Sequence, residues 1–264
     1  MKKLLLIVTL LLSGFAAYSY ENTYAVVVAV ADYKNFSAEK GDLNYTINDA
    51  KKFYEFLLSA EGGSVPAENI VYLTDASASK ASIIVRARML FSKAKDSDRV
   101  IFYFSGHGDR GCFLPYDVDA FGNNLLYFSE IKSIFRCAKC NYKFLFADAC
   151  FSGSMKDVKT EAVQQNILKE SQDDSNMNIA VMMSCSDNET SWESGSIQQG
   201  YFTYFLIRGL AGQANRDGSD YVTIQELFYY VYEKVRERAA SMGHTQTPVL
   251  FGNFDLKLIV SKIQ

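Results

Sequence analysis

Apolar residues along this chain fall into two kinds of run. The first kind is continuous and rich in β-branched and aromatic residues: 24–30 (YAVVVAV), 69–75 (NIVYLTD), 99–105 (RVIFYFS), 142–148 (YKFLFAD) and 178–185 (NIAVMMSC). Short runs without polar alternation predict strands buried on both faces, as in a parallel sheet. The second kind repeats at helical spacing. Residues 48–60 put Ala50, Phe53, Phe56, Leu57 and Ala60 on one face, with Asn48 as the candidate N-cap. Residues 79–95, 129–135, 200–212 and 223–240 read as four further helices. The helix at 200–212 closes on Gly212, and the last one ends in basic residues, which suit a helix C-terminus.

Strands alternating with helices predict an α/β fold, with a mostly parallel central sheet and helices on both faces. In such sheets ligands bind beyond the carboxyl ends of the strands. Two strands end in an unusual way there. "VIFYFSGHGDR" (100–110) stops at His107, between two glycines, and "FLFADACFSGS" (144–154) stops at Asp148 and Cys150. If the two strands are parallel neighbours, His107 and Cys150 meet at one edge. A thiol is mostly protonated near neutral pH, and its thiolate is the nucleophile. An imidazole beside it can take that proton and return it to a leaving amine. The glycines around His107 allow a backbone N–H to approach an oxyanion closely, and the N–H of Cys150 is a second donor. The other histidine, His244, lies in a polar stretch near the C-terminus.

"YFSGHG" followed by "DACFSGS" resembles the caspase-like cysteine peptidases, closest to the metacaspase and bacterial caspase-homologue branch. "YAVVVAVADY" with "LNYTINDA" is similar to the first strand and helix of that family. "VMMSCSDNETSWE", "QGYFTYFLIRGL" and "VTIQELFYYV" are similar to its smaller C-terminal half, so the resemblance runs over about residues 24–252. It implies the caspase-hemoglobinase sandwich, a cysteine endopeptidase activity, Cys150 as nucleophile and His107 as general acid/base. The implied oxyanion hole is the backbone N–H groups of Gly108 and Cys150. Metacaspases cleave after Arg or Lys in a pocket with two aspartates, which map onto Asp49 and Asp148, with Ser105 beside them. A desolvated cation needs an anionic partner, so the acids agree with a basic P1 residue. Trp192 falls where the family lines substrate pockets beyond P1.

Other family features carry over only in part. Several metacaspases bind calcium through acids after the His strand and just beyond the Cys. Asp117, Asp119 and Asp157 stand in those regions, but "AFGNNLLYFSEI" lacks the paired acids, so no cofactor is expected. "NRDGSD" (215–220) lacks the Glu of an EF-hand and reads as a turn. Many members cut themselves in the connection after the Cys. The polar segment 154–177 holds Lys156, Lys159 and Lys169 as candidate sites.

Composition adds a location and removes some partners. "MKK", an apolar stretch over 4–17 and small residues near 17–19 form the pattern of a secretory signal peptide over 1–19. The apolar stretch is shorter than the roughly 20 residues a membrane span needs. The expectation is therefore an exported, periplasmic or extracellular protein, with no membrane contact after cleavage. One peptidase domain is expected over 20–264: a large-subunit-like part (20–153), the connection (154–177) and a small-subunit-like part (178–264). At 48% hydrophobic residues the chain can build a sizeable core. It carries 27 basic and 30 acidic residues with no basic stripe, which argues against nucleic acid. The expected partners are peptide or protein substrates, met by a monomer. Five cysteines are an odd number for an exported chain, so at least one thiol should stay free. Two other readings compete: a catalytically silent caspase-like domain that only binds proteins, and a thiol oxidoreductase using Cys137 and Cys140 of "CAKC".

Overall fold

The computed structural model of the protein describes residues 20–37, 43–109, 111–149, 178–186 and 189–263. The signal-peptide expectation (1–19), Cys150, Asp157 and the connection with Lys156, Lys159 and Lys169 lie outside the described residues.

The chain runs β1 (Thr23–Ala29), α1 (Thr46–Leu58), β2 (Ile70–Thr74), α2 (Lys80–Phe91) and β3 (Arg99–Ser105). Three short strands follow, β4 (Gly108–Asp109), β5 (Cys112–Phe113) and β6 (Leu126–Tyr127), and then α3 (Phe128–Phe135) and β7 (Tyr142–Asp148). The C-terminal part adds β8 (Ile179–Met183), β9 (Glu193–Ser194), β10 (Gln199–Gly200) and α4 (Tyr201–Arg208). It ends with β11 (Tyr221–Thr223), α5 (Ile224–Ser241), β12 (Val249–Phe251) and β13 (Ile259–Lys262). Six strands form the central sheet in the order β12-β8-β7-β3-β1-β2. All its pairings are parallel except β12 on β8. None of the described helices is long and apolar enough to cross a membrane.

The continuous apolar runs are explained by two cores, one on each face. Along β3, Val100, Phe102 and Phe104 face the core under α2 and α3, while Ile101 and Tyr103 face the core under α1, α4 and α5. β1 and β7 divide their residues in the same way, so a polar alternation has no place in these strands.

The predicted bounds of β3 and β7 hold residue for residue, and the helices shift by small amounts at their ends. Asn48 is not the N-cap of α1: the helix begins earlier, after Tyr45, and the Asn48 amide donates to the Gln198 carbonyl instead. The helix expected over 200–212 is regular only to Arg208. A single π turn, Gly209–Gln213, finishes it, with Gly212 at φ 108°. α5 starts at a capping box in which Thr223 and Glu226 satisfy each other's backbone N–H. "NRDGSD" is a turn: Asn215 Oδ1 accepts from the Gly218 N–H and Asp217 Oδ1 from the Ser219 N–H. Cys112, Cys137, Cys140 and Cys185 are all free thiols, so "CAKC" is not a disulfide.

Candidate active site

The register of the sheet brings the two odd strand endings together. β3 and β7 are parallel neighbours, with Ser105 opposite Asp148. The Gly106 N–H continues the pairing by donating to the Asp148 carbonyl (3.2 Å). His107 is two residues beyond Ser105, as Cys150 is two residues beyond Asp148 in the sequence.

His107 is fixed through its backbone. Its N–H donates to the Tyr33 hydroxyl (2.8 Å), and its carbonyl accepts from the Leu114 N–H (3.0 Å). The Tyr33 ring lies 5.3 Å from the imidazole, and burial pushes its phenol up, so it stays protonated. Because residues 107 and 114 share a ladder hydrogen bond, the next pair, Gly108 with Phe113, is of the non-bonded type. The Gly108 N–H is thereby directed away from β5, as an oxyanion donor needs. On the β7 side the chain is held as far as Ala149. The Ser184 hydroxyl accepts from the Ala149 N–H and donates to its carbonyl, both at 3.1 Å.

Between these two endings lies a cavity of about 380 Å³. Asp49, Ser105, His107, Asp148 and Trp192 all line it, as do Ala149, Ser191 and Glu193. Asp49 is almost fully buried, and the Gly200 N–H reaches both of its oxygens at 3.1 Å. Asp148 accepts from the Ser191 hydroxyl through Oδ1 (2.5 Å), and from the Thr203 N–H (3.2 Å) and hydroxyl (2.8 Å) through Oδ2. Thr203 stands in the first turn of α4, so the positive end of that helix faces this carboxylate. The Thr203 hydroxyl has a single proton and gives it to Asp148. It must therefore accept from the Tyr103 phenol, 2.6 Å away, whose protonated form burial favours.

Glu193 is a third acid on this wall, held by the Tyr45 N–H at the start of α1 (3.2 Å). Burial pushes all three carboxyls above the ordinary carboxylate range, and for Asp49 the charge of Asp148 adds to the effect. The hydrogen bonds that each acid accepts work in the opposite direction. A pocket that gathers three carboxyl groups, with Asp49 and Asp148 buried, concentrates negative charge, and a ligand cation would relieve it.

Gly200 is needed at its position because a side chain there would run into Asp148 Oδ2 and crowd Asp49. Gly200→Ala is expected to raise KM for a cationic substrate about tenfold or more, and to lower stability by about 1–3 kcal/mol through overpacking. Steady-state kinetics and a melting curve on the same preparation check both effects.

Trp192 lines the cavity and also stacks on His244, with ring centroids 3.4 Å apart, so it both packs and faces the pocket. Asp117 and Asp119 are occupied locally. Asp117 caps the Lys80 N–H, and Asp119 accepts from Phe121 and Asn123 within its own turn. Tyr33, Ser191, Glu193, Gly200 and Thr203 were not singled out by sequence reasoning. Each lies in a stretch similar to the family, but Gly200 and Thr203 were read only as part of the helix over 200–212, and Tyr33, Ser191 and Glu193 belong to no helical or strand period.

The caspase domain model matches residues 22–258. The chain belongs to the caspase domain family. This caspase-like chain is 27% identical to a protein named "Probable protease" from a Desulfuromonadales bacterium, over 86% of this chain and 31% of that protein. It is 28% identical to metacaspase-1A of Aspergillus oryzae, over 58% of this chain and 41% of the metacaspase. The chain thus spans less than half the length of these curated relatives. Among solved structures, caspase-1 from Spodoptera frugiperda shares the fold with a TM-score of 0.61 at 12% identity, covering 94% of this chain and 93% of the caspase. A Geobacter sulfurreducens protein, GSU0716, has a TM-score of 0.60 at 14% identity, over 92% of this chain and all of that protein.

Proposed function

We propose that the chain is an exported cysteine endopeptidase that cleaves after Arg or Lys, with Cys150 as nucleophile and His107 as general acid/base. The observation that carries this reading is the cavity in which Asp49, Asp148 and Glu193 converge beside His107. A guanidinium or ammonium group entering it forms charge-assisted hydrogen bonds in a desolvated site, where they are strong. An aspartate at P1 would bring a fourth acid among three.

In this reading His107 takes the Cys150 proton as the thiolate attacks the scissile carbonyl, and returns it to the leaving amine. The Gly108 and Cys150 N–H groups receive the developing oxyanion. Water then hydrolyses the acyl-enzyme with His107 as base. No cofactor takes part in this reading, and the calcium arm of the test below decides it. The chain also processes itself in the 154–177 connection and works as a monomer after losing residues 1–19.

The test is hydrolysis of matched fluorogenic peptides ending in Arg, Lys, Asp or Asn, with calcium and with a chelator. Cleavage after Arg or Lys in both conditions is the expected result. Cleavage after Asp or Asn alone would remove the acidic-pocket assignment, and a strict calcium requirement would remove the cofactor-free reading.

The pocket also predicts a pH signature. Carboxyls raised in the free enzyme must be ionised to receive a cation. The acid limb of kcat/KM, which reports the free enzyme, is therefore expected above the ordinary carboxylate range. A bound cation favours the ionised form and draws those values down, so the acid limb of kcat is expected at lower pH. Coincident limbs for an Arg peptide would contradict this.

A further inference from the structure

The side chain of Gln246 is buried, lies in no helix or strand, and connects both halves of the site. Its Nε2 donates to the Ser184 carbonyl (3.0 Å) and to the Ser191 hydroxyl (3.2 Å), and its Oε1 accepts from the Trp192 N–H (3.0 Å). These partners fix which way the amide faces. Turned over, its oxygen would meet the Ser184 carbonyl and its nitrogen the Trp192 N–H, and two hydrogen bonds would become two repulsions.

Each partner leads to a different part of the chemistry. Ser184 clamps the Ala149 peptide at both N–H and carbonyl, and Ala149 immediately precedes Cys150. Ser191 gives its one proton to Asp148 Oδ1, so its hydroxyl can only accept from Gln246. Trp192 lines the substrate cavity. One buried amide therefore ties the Ser191–Trp192 wall of the pocket to the Ser184 backbone, beside the strand end that carries Asp148 and Ala149.

We propose that Gln246 is a positioning residue that couples the nucleophile's strand end to the substrate pocket. The inference rests on the reading of Cys150 as nucleophile and Asp148 as the P1 acid. Neither arm works alone, because attack requires the scissile carbonyl at a set distance from the thiolate, and the P1 side chain determines where that carbonyl lies. Gln246 holds the two arms in register through hydrogen bonds that span 54 to 62 residues of sequence.

The test uses kinetics with an Arg peptide and calorimetric binding of arginine amide to the full chain, for wild type and three variants. Ser191→Ala removes only the pocket arm, so it is expected to weaken arginine-amide binding and raise KM about three- to tenfold, with little change in kcat. Ser184→Ala removes the clamp on Ala149, so it is expected to lower kcat by a similar factor, with the larger effect on kcat rather than binding. These factors correspond to one hydrogen bond of ordinary net strength. Gln246→Met keeps the side-chain length without its hydrogen bonds, and is expected to do both at once. A merely structural Gln246 would lower the melting temperature and the active fraction without this split.

Gln246→Met with kcat and arginine-amide affinity both within about twofold of wild type would overturn the proposal. If that variant does not fold, Gln246→Glu decides, since it keeps an acceptor for the Trp192 N–H and loses both donated bonds: kcat and arginine-amide affinity within about twofold of wild type would overturn the proposal, and loss of both would support it. Wild type that neither binds arginine amide nor cleaves the Arg peptide would instead refute the underlying reading, and the coupling with it.

Discussion

His107→Ala is expected to lower kcat/KM for an Arg peptide by about four orders of magnitude, and Cys150→Ala to reduce it to background. The position of His107 makes the first variant a clean test. Its two backbone bonds, to the Tyr33 hydroxyl and from the Leu114 N–H, do not involve the imidazole and survive the substitution. The melting temperature should therefore stay close to wild type while the activity disappears. Because the two groups act on one proton, the double variant should be no worse than Cys150→Ala alone. The same preparations test processing. Intact mass spectra should show wild type without residues 1–19 and cut within 154–177, and Cys150→Ala without the leader but uncut. Undiminished hydrolysis in His107→Ala would sink the dyad, and an uncut wild type would sink autoprocessing.

The sequence revealed one half of this site more readily than the other, for a physical reason. β3 and β7 are buried on both faces, so burial forces their composition and makes their bounds readable. Their endings then stand out as breaks in an apolar run, which is how His107, Asp148 and Cys150 could be singled out. Ser191, Glu193 and Gly200 lie on short two-residue strands and loops, where no period operates. They act through partners far away in sequence, as when Glu193 holds the Tyr45 N–H at the start of α1. The Asn48 cap was misplaced for a different reason: α1 begins at Thr46 after Tyr45 with no side-chain cap, so no capping residue in its own sequence marks its start. β12 was missed because three residues paired antiparallel at a sheet edge carry too little pattern to announce a strand. Asp49 and Asp148 were reachable through resemblance, yet the reason they tolerate each other was not. It lies in the donors of Gly200, Ser191 and Thr203, which only the fold brings together.

Asp148→Asn and Asp49→Asn should both suppress cleavage after Arg, by about two to three orders of magnitude, while moving stability in opposite directions. The shared loss follows from leaving a desolvated guanidinium short of an anionic partner, which costs about 3–5 kcal/mol. The stability effects differ because the hydrogen bonds differ. Asp148 receives donors on both oxygens, two of them from the head of α4. An amide there turns one oxygen into a donor facing donors, so Asp148→Asn is expected to melt earlier. Burial, and then the Asp148 charge, oppose ionisation of Asp49, while its backbone donor, the Gly200 N–H, works the other way. Its folded value is raised, so the ionised carboxylate is the penalised form. That penalty is full above the raised value, shrinks as the pH falls through it, and is gone below the unfolded value. Asp49→Asn removes the penalty and keeps an oxygen for Gly200, so it should melt higher than wild type near pH 7, by roughly 2–4 °C for each kcal/mol relieved. The advantage should vanish as the pH approaches about 4. Melting curves from pH 4 to 8 decide the matter. An Asp49→Asn chain that is less stable than wild type across that range would mean that Asp49 supports the fold, and not that the fold strains to keep a charge ready for substrate.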